Sequence, residues 1–392
     1  MGGDGVDRRP RRDGRSTLAV SVPSSAEDRS PGVRPGPPGS AVAGTERTFR
    51  RPPGVPGTKS PNLDGKASTT TSQRRRPGPV LVVGATGMIG AQVVHHLLRS
   101  GVPVTTLSRR PYARGAVPPE ELRVVRGDAR DPTVLAQALE GAEQVVYALS
   151  AGVPQFPSPE PFADVQHALE PLLSVLSAMR GPSARRIFFL SSGGAVYGNP
   201  TSVPVPESAA TDPISAYGVL KLAAEKYVAM YCRLHGMSYC VLRAGNVYGH
   251  GQAVVPGHGA VTTILRAAAA GQTLQVYGDG HGLRDYVFAA DVGWLLARLV
   301  QRSALPSVLN VGTGTGTSVL QLVAAVEEVT GRHLSVKHLP ARSFDVASVV
   351  LDISKLRALV EWAPTPLQTG VGETWRRLVS VTSREVRQTG GG

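Results

Sequence analysis

The chain has 392 residues, with 42 Lys and Arg against 29 Asp and Glu, a formal net charge of +13 at pH 7. It contains no apolar run of the length a membrane span needs, so no membrane partner is expected, and its two cysteines, Cys232 and Cys240, are too few for a disulfide framework. The charge is unevenly placed: residues 1–78 hold 15 Lys and Arg against 7 Asp and Glu, so +8 of the +13 sits there and the high isoelectric point says little about the remainder.

Residues 1–78 are rich in Pro, Gly, Ser, Thr and Arg, with Phe49 their only aromatic. Such a stretch cannot bury enough apolar surface to offset its ordering entropy, and a disordered basic tail is expected. Acids are interspersed with the bases and aromatics for base stacking are missing, so the tail reads as a solvated extension and does not point to a nucleic-acid partner. No apolar block follows its arginines, which argues against a secretory leader. Cys232-x-x-His235 and Cys240 match no zinc spacing, so no metal is expected; two structural thiols fit a reducing, cytoplasmic setting.

From about residue 79 apolar runs alternate with helical periodicity. Strand Val80–Val83 leads to helix Met88–Arg99, apolar at Ile89, Val93, Leu97 and Leu98. Strands follow at Val104–Leu107 and Arg123–Arg126, a helix at Thr133–Leu139, a strand at Gln144–Tyr147 and a helix at Pro161–Met179. Strand Arg186–Leu190, helix Ser215–Leu234 and strand Ser238–Leu242 complete the alternation. This predicts an α/β fold, a Rossmann-type doubly wound parallel sheet over 79–245. Beyond it, 246–380 reads as a smaller C-terminal substrate-binding lobe. Helices are expected near Val261–Ala270, 318–331 and 352–362, and a strand near Val308–Val311 returns to the main sheet. Residues 381–392 are expected to be a flexible end.

The strongest local signal is Gly84-Ala-Thr86-Gly87-Met88-Ile89-Gly90 after the first strand. It is a dinucleotide cradle: a tight turn at Gly84, close backbone approach to a pyrophosphate at Gly87, close helix–strand packing at Gly90, and a helix N-terminus facing the phosphates. Gly127-Asp128-Ala129 ends the third strand, where a carboxylate can accept from the adenine amino group. Ser108-Arg109-Arg110 ends the second; the absence of an acid there, with Arg109 able to accommodate a 2′-phosphate, leaves NADP open beside NAD.

Tyr217 and Lys221 lie one helical turn apart, hence on one face. An ammonium near a phenol favours the phenolate, which can then take a proton from a sugar hydroxyl while the adjacent ring carbon gives hydride to the cofactor. Ser191 and Ser192 stand at a strand end facing the expected crevice, where a hydroxyl can bond the substrate oxygen. These four are the candidate catalytic residues.

With these motifs in order, followed by Leu242-Arg-Ala-Gly-Asn246-Val-Tyr-Gly249, Tyr277-Gly-Asp-Gly280, Arg284-Asp-Tyr-Val287, Asn310-Val-Gly312 and Arg342-Ser-Phe-Asp345-Val346, the chain from about 79 to 378 resembles the extended short-chain dehydrogenase/reductases. Within them it is most similar to the NAD-dependent epimerase/dehydratase group acting on nucleotide sugars. The resemblance implies an NAD(P)-dependent nucleotide-sugar epimerase, inverting C4 of a UDP-hexose through a transient 4-keto sugar. It places Asn246, Arg284, Arg342 and Asp345 on the substrate side, with both arginines on its phosphates. It also implies a homodimer formed by helices 161–179 and 215–234. Three positions depart from the family's pattern. Gly193 stands where 4-epimerases often carry Ser or Thr, Gly194-Ala195 where 4,6-dehydratases carry Asp-Glu, and Ala168 where an asparagine usually faces the active site. An NADPH-dependent 4-ketohexose reductase and a non-catalytic NAD(P)-binding protein are the alternatives.

Overall fold

The computed structural model describes residues 18–20, 78–113, 117–118, 120–149, 160–181, 184–252, 259–342 and 346–389, the backbone alone for 18–20 and 381–389. Strand β1 (Leu18–Val20) stands apart from the alternation that follows: β2 (Val80–Val83), α1 (Met88–Arg99), β3 (Val104–Ser108), β4 (Leu122–Arg126), α2 (Pro132–Leu139), β5 (Gln144–Tyr147), α3 (Pro161–Ala178), β6 (Arg186–Ser192), the single turn α4 (Gly193–Val196), α5 (Ala216–Leu234) and β7 (Ser238–Ala244). The second half contains β8 (Asn246–Tyr248), α6 (Ala260–Ala270), β9 (Leu274–Tyr277), β10 (Arg284–Phe288), α7 (Ala289–Leu299), β11 (Val308–Val311), β12 (Gly316–Thr317), α8 (Val319–Thr330), β13 (Val336–Leu339), α9 (Ser354–Leu359) and α10 (Leu367–Thr389).

Seven strands form one sheet in the order β4-β3-β2-β5-β6-β7-β11, every neighbouring pair parallel. The chain winds outward from β2 to β4, then returns to the other side of β2 with β5, so the topological switch lies between β2 and β5. The continuous apolar strands follow from this arrangement. Val80–Val83 are covered on both faces, with Val80, Val82, Val146 and Phe188 in one packed layer and Leu81, Val83, Val145 and Phe189 in the other. The strand expected at Val308–Val311 is the sheet's edge, pairing with Val241–Ala244.

Helix ends are set by local chemistry. Asp131 accepts from the Thr133 and Val134 N–H groups ahead of Pro132 in α2. Ser215 accepts from Gly218 N–H and starts α5, which puts Tyr217 in its first turn. Ser318 and Gln321 form a reciprocal capping box on α8.

Several expectations are corrected. Within the expected tail the apolar triplet Leu18-Ala-Val20 forms a strand, pairing in parallel with Leu274–Val276 in the three-stranded sheet β1-β9-β13, and residues 1–17 and 21–77 lie outside the described residues. Of the flexible end expected over 381–392, residues 381–389 are helical, since α10 continues to Thr389, and 390–392 lie outside the described residues. The helix expected over 352–362 is only Ser354–Leu359; the Asp352 carboxylate accepts from Ser354 N–H and Oγ and fixes the start. Helix α7 was absent from the sequence reading. It packs closely on α1, where a Cβ on Gly293 would lie 2.6 Å from the Gln92 backbone. Cys232 and Cys240 are free and buried, as structural thiols should be.

Candidate active site

The glycine turn sits at the switch point, at the carboxyl end of β2. Gly84 has φ +85, a left-handed backbone, and a Cβ there would also strike the backbone of Ala148 and Leu149 after β5 at 2.8–2.9 Å. Gly90, in the first turn of α1, approaches the turn so closely that a Cβ would lie 2.2 Å from the Gly84 carbonyl. Gly87 is the N-cap of α1 and carries no side-chain cap, so the first-turn N–H groups of Met88, Ile89 and Gly90 are left for a ligand. A Cβ on Gly87 would meet only the Gly84 carbonyl, at 3.3 Å, which leaves the approach open. These features fit a dinucleotide pyrophosphate. Around it, the Arg110 guanidinium donates to the Thr86 carbonyl at 3.4 Å, and Arg109, exposed, accepts from Arg126 through its own carbonyl. Asp128 is already paired: Arg130 donates to it at 2.8 and 3.0 Å, and this hydrogen-bonded guanidinium holds its carboxyl down at about 2. Ala129 beside it is buried.

Tyr217 and Lys221 stand on one face of α5 against the end of β6. The Lys221 ammonium donates to the Leu190 carbonyl at 2.9 Å and lies 5.2 Å from the Phe189 ring centre and 5.8 Å from that of Tyr217. Burial pushes the Tyr217 phenol above its ordinary range, opposed by a hydrogen bond with Ser192. Burial pulls Lys221 down to about 8, opposed by the Glu225 carboxylate one turn further along α5. The two serines separate, because successive strand residues face opposite sides. Ser192 reaches the phenol, whereas Ser191 is buried and donates to Glu225 at 2.5 Å. The candidate catalytic role for Ser191 is therefore corrected to a structural one. Ala168 does line the small cavity beside Tyr217 and Lys221, the place the sequence assigned it.

Asn246 opens β8, two residues past the end of β7. Its carboxamide occupies the space where Gly194 would carry a side chain, 2.8 Å from that absent Cβ, and Ser192 Oγ lies 4.0 Å from the same point. Asn246 pairs in register with Tyr286 on β10, whose first residue is Arg284. The Arg284 guanidinium donates to the carbonyls of Leu283, Val346 and Ala347. Arg342 lies over the Tyr277 ring, 4.2 Å from its centre. Both arginines thus border the segment 343–345, and Asp345 itself lies outside the described residues.

Sequence reading missed a buried polar network beneath the site. Arg243 grips Glu225 through Nε and Nη2 (2.8–3.2 Å) and donates from Nη1 to the Tyr197 hydroxyl at 3.1 Å. Tyr197 donates to Asn310 Oδ1 at 2.7 Å, and Asn310 Nδ2 donates to the Val205 and Asp352 carbonyls. A charged residue inside an otherwise apolar parallel strand, Arg243 after Val241-Leu242, was the available signal.

Known proteins define the class. Residues 80–312 match the NAD dependent epimerase/dehydratase family, and the chain belongs to it. It is 30% identical over 306 residues to a UDP-glucose 4-epimerase of Mycolicibacterium smegmatis, covering 75% of this chain and 96% of that one. Among solved structures it is similar to Thermus thermophilus UDP-glucose 4-epimerase in complex with NAD (30% identity, 76% of this chain and 98% of that one, TM-score 0.68). It is also similar to Thermotoga maritima UDP-glucose 4-epimerase with UDP-glucose (28% identity, 78% and 99%, TM-score 0.70). The chain is thus an enzyme of the epimerase/dehydratase type.

Proposed function

We propose that this protein is an NAD-dependent 4-epimerase of a UDP-hexose. The observation that carries the reading is the meeting of Tyr217, Lys221 and Ser192 at the end of β6, with Asn246 alongside, in the same crevice as the glycine turn at β2. NAD, when bound, supplies reversible two-electron oxidation at C4. Tyr217 takes the proton of the C4 hydroxyl and later gives it back, so its proton balance over a turnover is zero. Ser192, bonded to the phenol, holds its oxygen toward the substrate hydroxyl. Lys221 supports the phenolate by its charge. Arg284 and Arg342 are assigned to the diphosphate, which two guanidinium forks match. Gly194 and Ala195 provide no acid or base for water elimination, so 4,6-dehydration is not expected.

Lys221 gives the reading a pH signature. Its charge is present below about 8 and lost above it. Turnover should therefore fall as pH rises through about 8. A rate that stays level to about pH 10, the ordinary range of lysine, would contradict the role.

The same reading includes a homodimer. Phe162 and Val165 on α3 and Val219, Tyr227, Met230 and Leu234 on α5 are exposed apolar residues on two adjacent helices, a face that pairing of two copies would cover. A cytoplasmic setting accords with the two free thiols. The alternative NADPH-dependent ketoreductase is favoured by one observation, the Arg109-Arg110 pair at the end of β3 with Arg110 against the cradle. Proton NMR of the enzyme with UDP-sugars and no added cofactor separates the two. Appearance of the C4 epimer establishes epimerisation with retained cofactor. Unchanged UDP-glucose, UDP-galactose and their N-acetyl and uronic forms, with NADPH consumed on a 4-keto sugar, would replace it by the reductase.

A further inference from the structure

Gly87 gives α1 no side-chain cap, so the turn that meets the pyrophosphate is secured at its start by backbone bonds: Gly87 N–H donates to the Gly84 carbonyl at 3.0 Å and Ala91 N–H to the Gly87 carbonyl at 2.9 Å. An uncapped first turn frays readily. A restraint reaches it from the second half of the chain. Past the end of β8 the chain turns through Gly249-His250-Gly251, with Gly251 in a left-handed conformation at φ +83. A Cβ on Gly251 would stand 3.9 Å from Met88 Cα, so this turn lies against the first residue of α1. One helical turn further, on the same face of α1, Gln92 Nε2 lies 3.1 Å from His250 Nε2. An amide nitrogen only donates, so the imidazole nitrogen accepts and the ring is neutral. Its surroundings favour that form: burial lowers the His250 pKa, helped by Arg377 and opposed by Glu373, both on α10. Gln92 is held in turn by α7, which Gly293 allows to close on its backbone.

We propose that the Gln92–His250 hydrogen bond takes the place of the missing N-cap: it fastens the turn after β8 onto α1 and keeps the first turn of that helix wound, so that the cradle is preformed for the dinucleotide. Gln92 and His250 are positioning residues, acting through the N–H groups of Met88, Ile89 and Gly90. A cradle whose N–H groups already point at the ligand loses less binding energy to ordering them, so the tie slows cofactor release. It also joins the two sides of the site, because Asn246 opens the strand that leads into the His250 turn. The inference rests on dinucleotide binding at the glycine turn and not on the reaction that follows.

Gln92→Met and His250→Leu each remove the bond and keep a side chain of similar size. Exchange of bound NAD against isotopically labelled NAD, followed by mass spectrometry on the full-length protein, should run about three- to tenfold faster in each, the worth of one neutral hydrogen bond. The double variant should exchange no faster than the faster single, since the bond can be lost only once. Amide hydrogen exchange should speed up at Ala91, in the first turn of α1, and stay unchanged at Leu98, in its last. A wild-type rate of NAD exchange in both singles overturns the proposal, as do additive effects in the double variant or an acceleration spread evenly along α1. If one single variant fails to fold, NAD exchange and the Ala91 amide in the other decide the matter. No sugar substrate is needed, so failure of UDP-sugar turnover would count against the epimerase reading alone.

Discussion

Tyr217→Phe should lower epimerisation roughly a hundred- to ten-thousand-fold, the usual contribution of a positioned acid–base group, while leaving the fold intact. The change removes one oxygen. The ring remains in place on α5, and Lys221 keeps its bond to the Leu190 carbonyl, which does not depend on the phenol. Ser192 loses its partner, but it is only partly buried and can turn to water or substrate. The loss should therefore appear in turnover number and hardly in melting temperature. Rates from the anomeric proton signals of a UDP-sugar, set beside thermal melts of both proteins, check this. A variant that turns over near the wild-type rate would show that some other group takes the C4 proton.

Removing either end of the Glu225–Arg243 pair should be the most damaging single change to stability. Their side chains are 5% and 6% exposed, so Arg243→Met leaves a carboxylate, and Glu225→Leu a guanidinium, buried without its counter-charge. Breaking a pair of this kind costs about 3–5 kcal/mol. The damage should spread, since Ser191 donates to Glu225 and Tyr197 accepts from Arg243. The double variant Glu225→Leu/Arg243→Met should be milder than the sum of the singles, because no charge is then stranded. Thermal or denaturant unfolding of the three proteins decides this. Additive losses would mean the two groups do not act as a pair. Glu225 also holds Lys221 up against burial, so Glu225→Leu should move the alkaline fall of turnover to lower pH even where the protein stays folded.

The main sheet was legible because a parallel strand covered on both faces is a continuous apolar run, and each run was separated from the next by helical periodicity or a turn. Val80–Val83, Gln144–Tyr147 and Val308–Val311 were placed to the residue. The glycine turn and the Tyr217–Lys221 face were legible for a similar reason, as spacing within one element is local. What lay beyond local spacing was missed. The strand β10 passes directly into helix α7 at Phe288–Ala289, and no turn separates their periods. The choice between Ser191 and Ser192 depends on which hydroxyl reaches Tyr217 and which reaches Glu225, two α5 residues far along the chain. The network through Arg243, Tyr197 and Asn310 joins residues more than a hundred positions apart through side-chain tips. The strand at Leu18–Val20 is too short to announce itself against its Pro- and Gly-rich surroundings.

Gly193 is closely surrounded. A Cβ there would lie 2.8 and 2.9 Å from the two Leu351 methyls and 3.0 Å from the Arg243 carbonyl. Leu351 is 1% exposed, so its methyls have little room to move aside. A Ser or Thr at this position would press on the Leu351 methyls and the Arg243 carbonyl, so Gly193→Ser alone should destabilise the fold. A smaller residue at 351 should relieve that pressure. The two positions are coupled: Gly193→Ser should be tolerated better beside Leu351→Ala than alone, while Ser192 supplies the hydroxyl at this strand end.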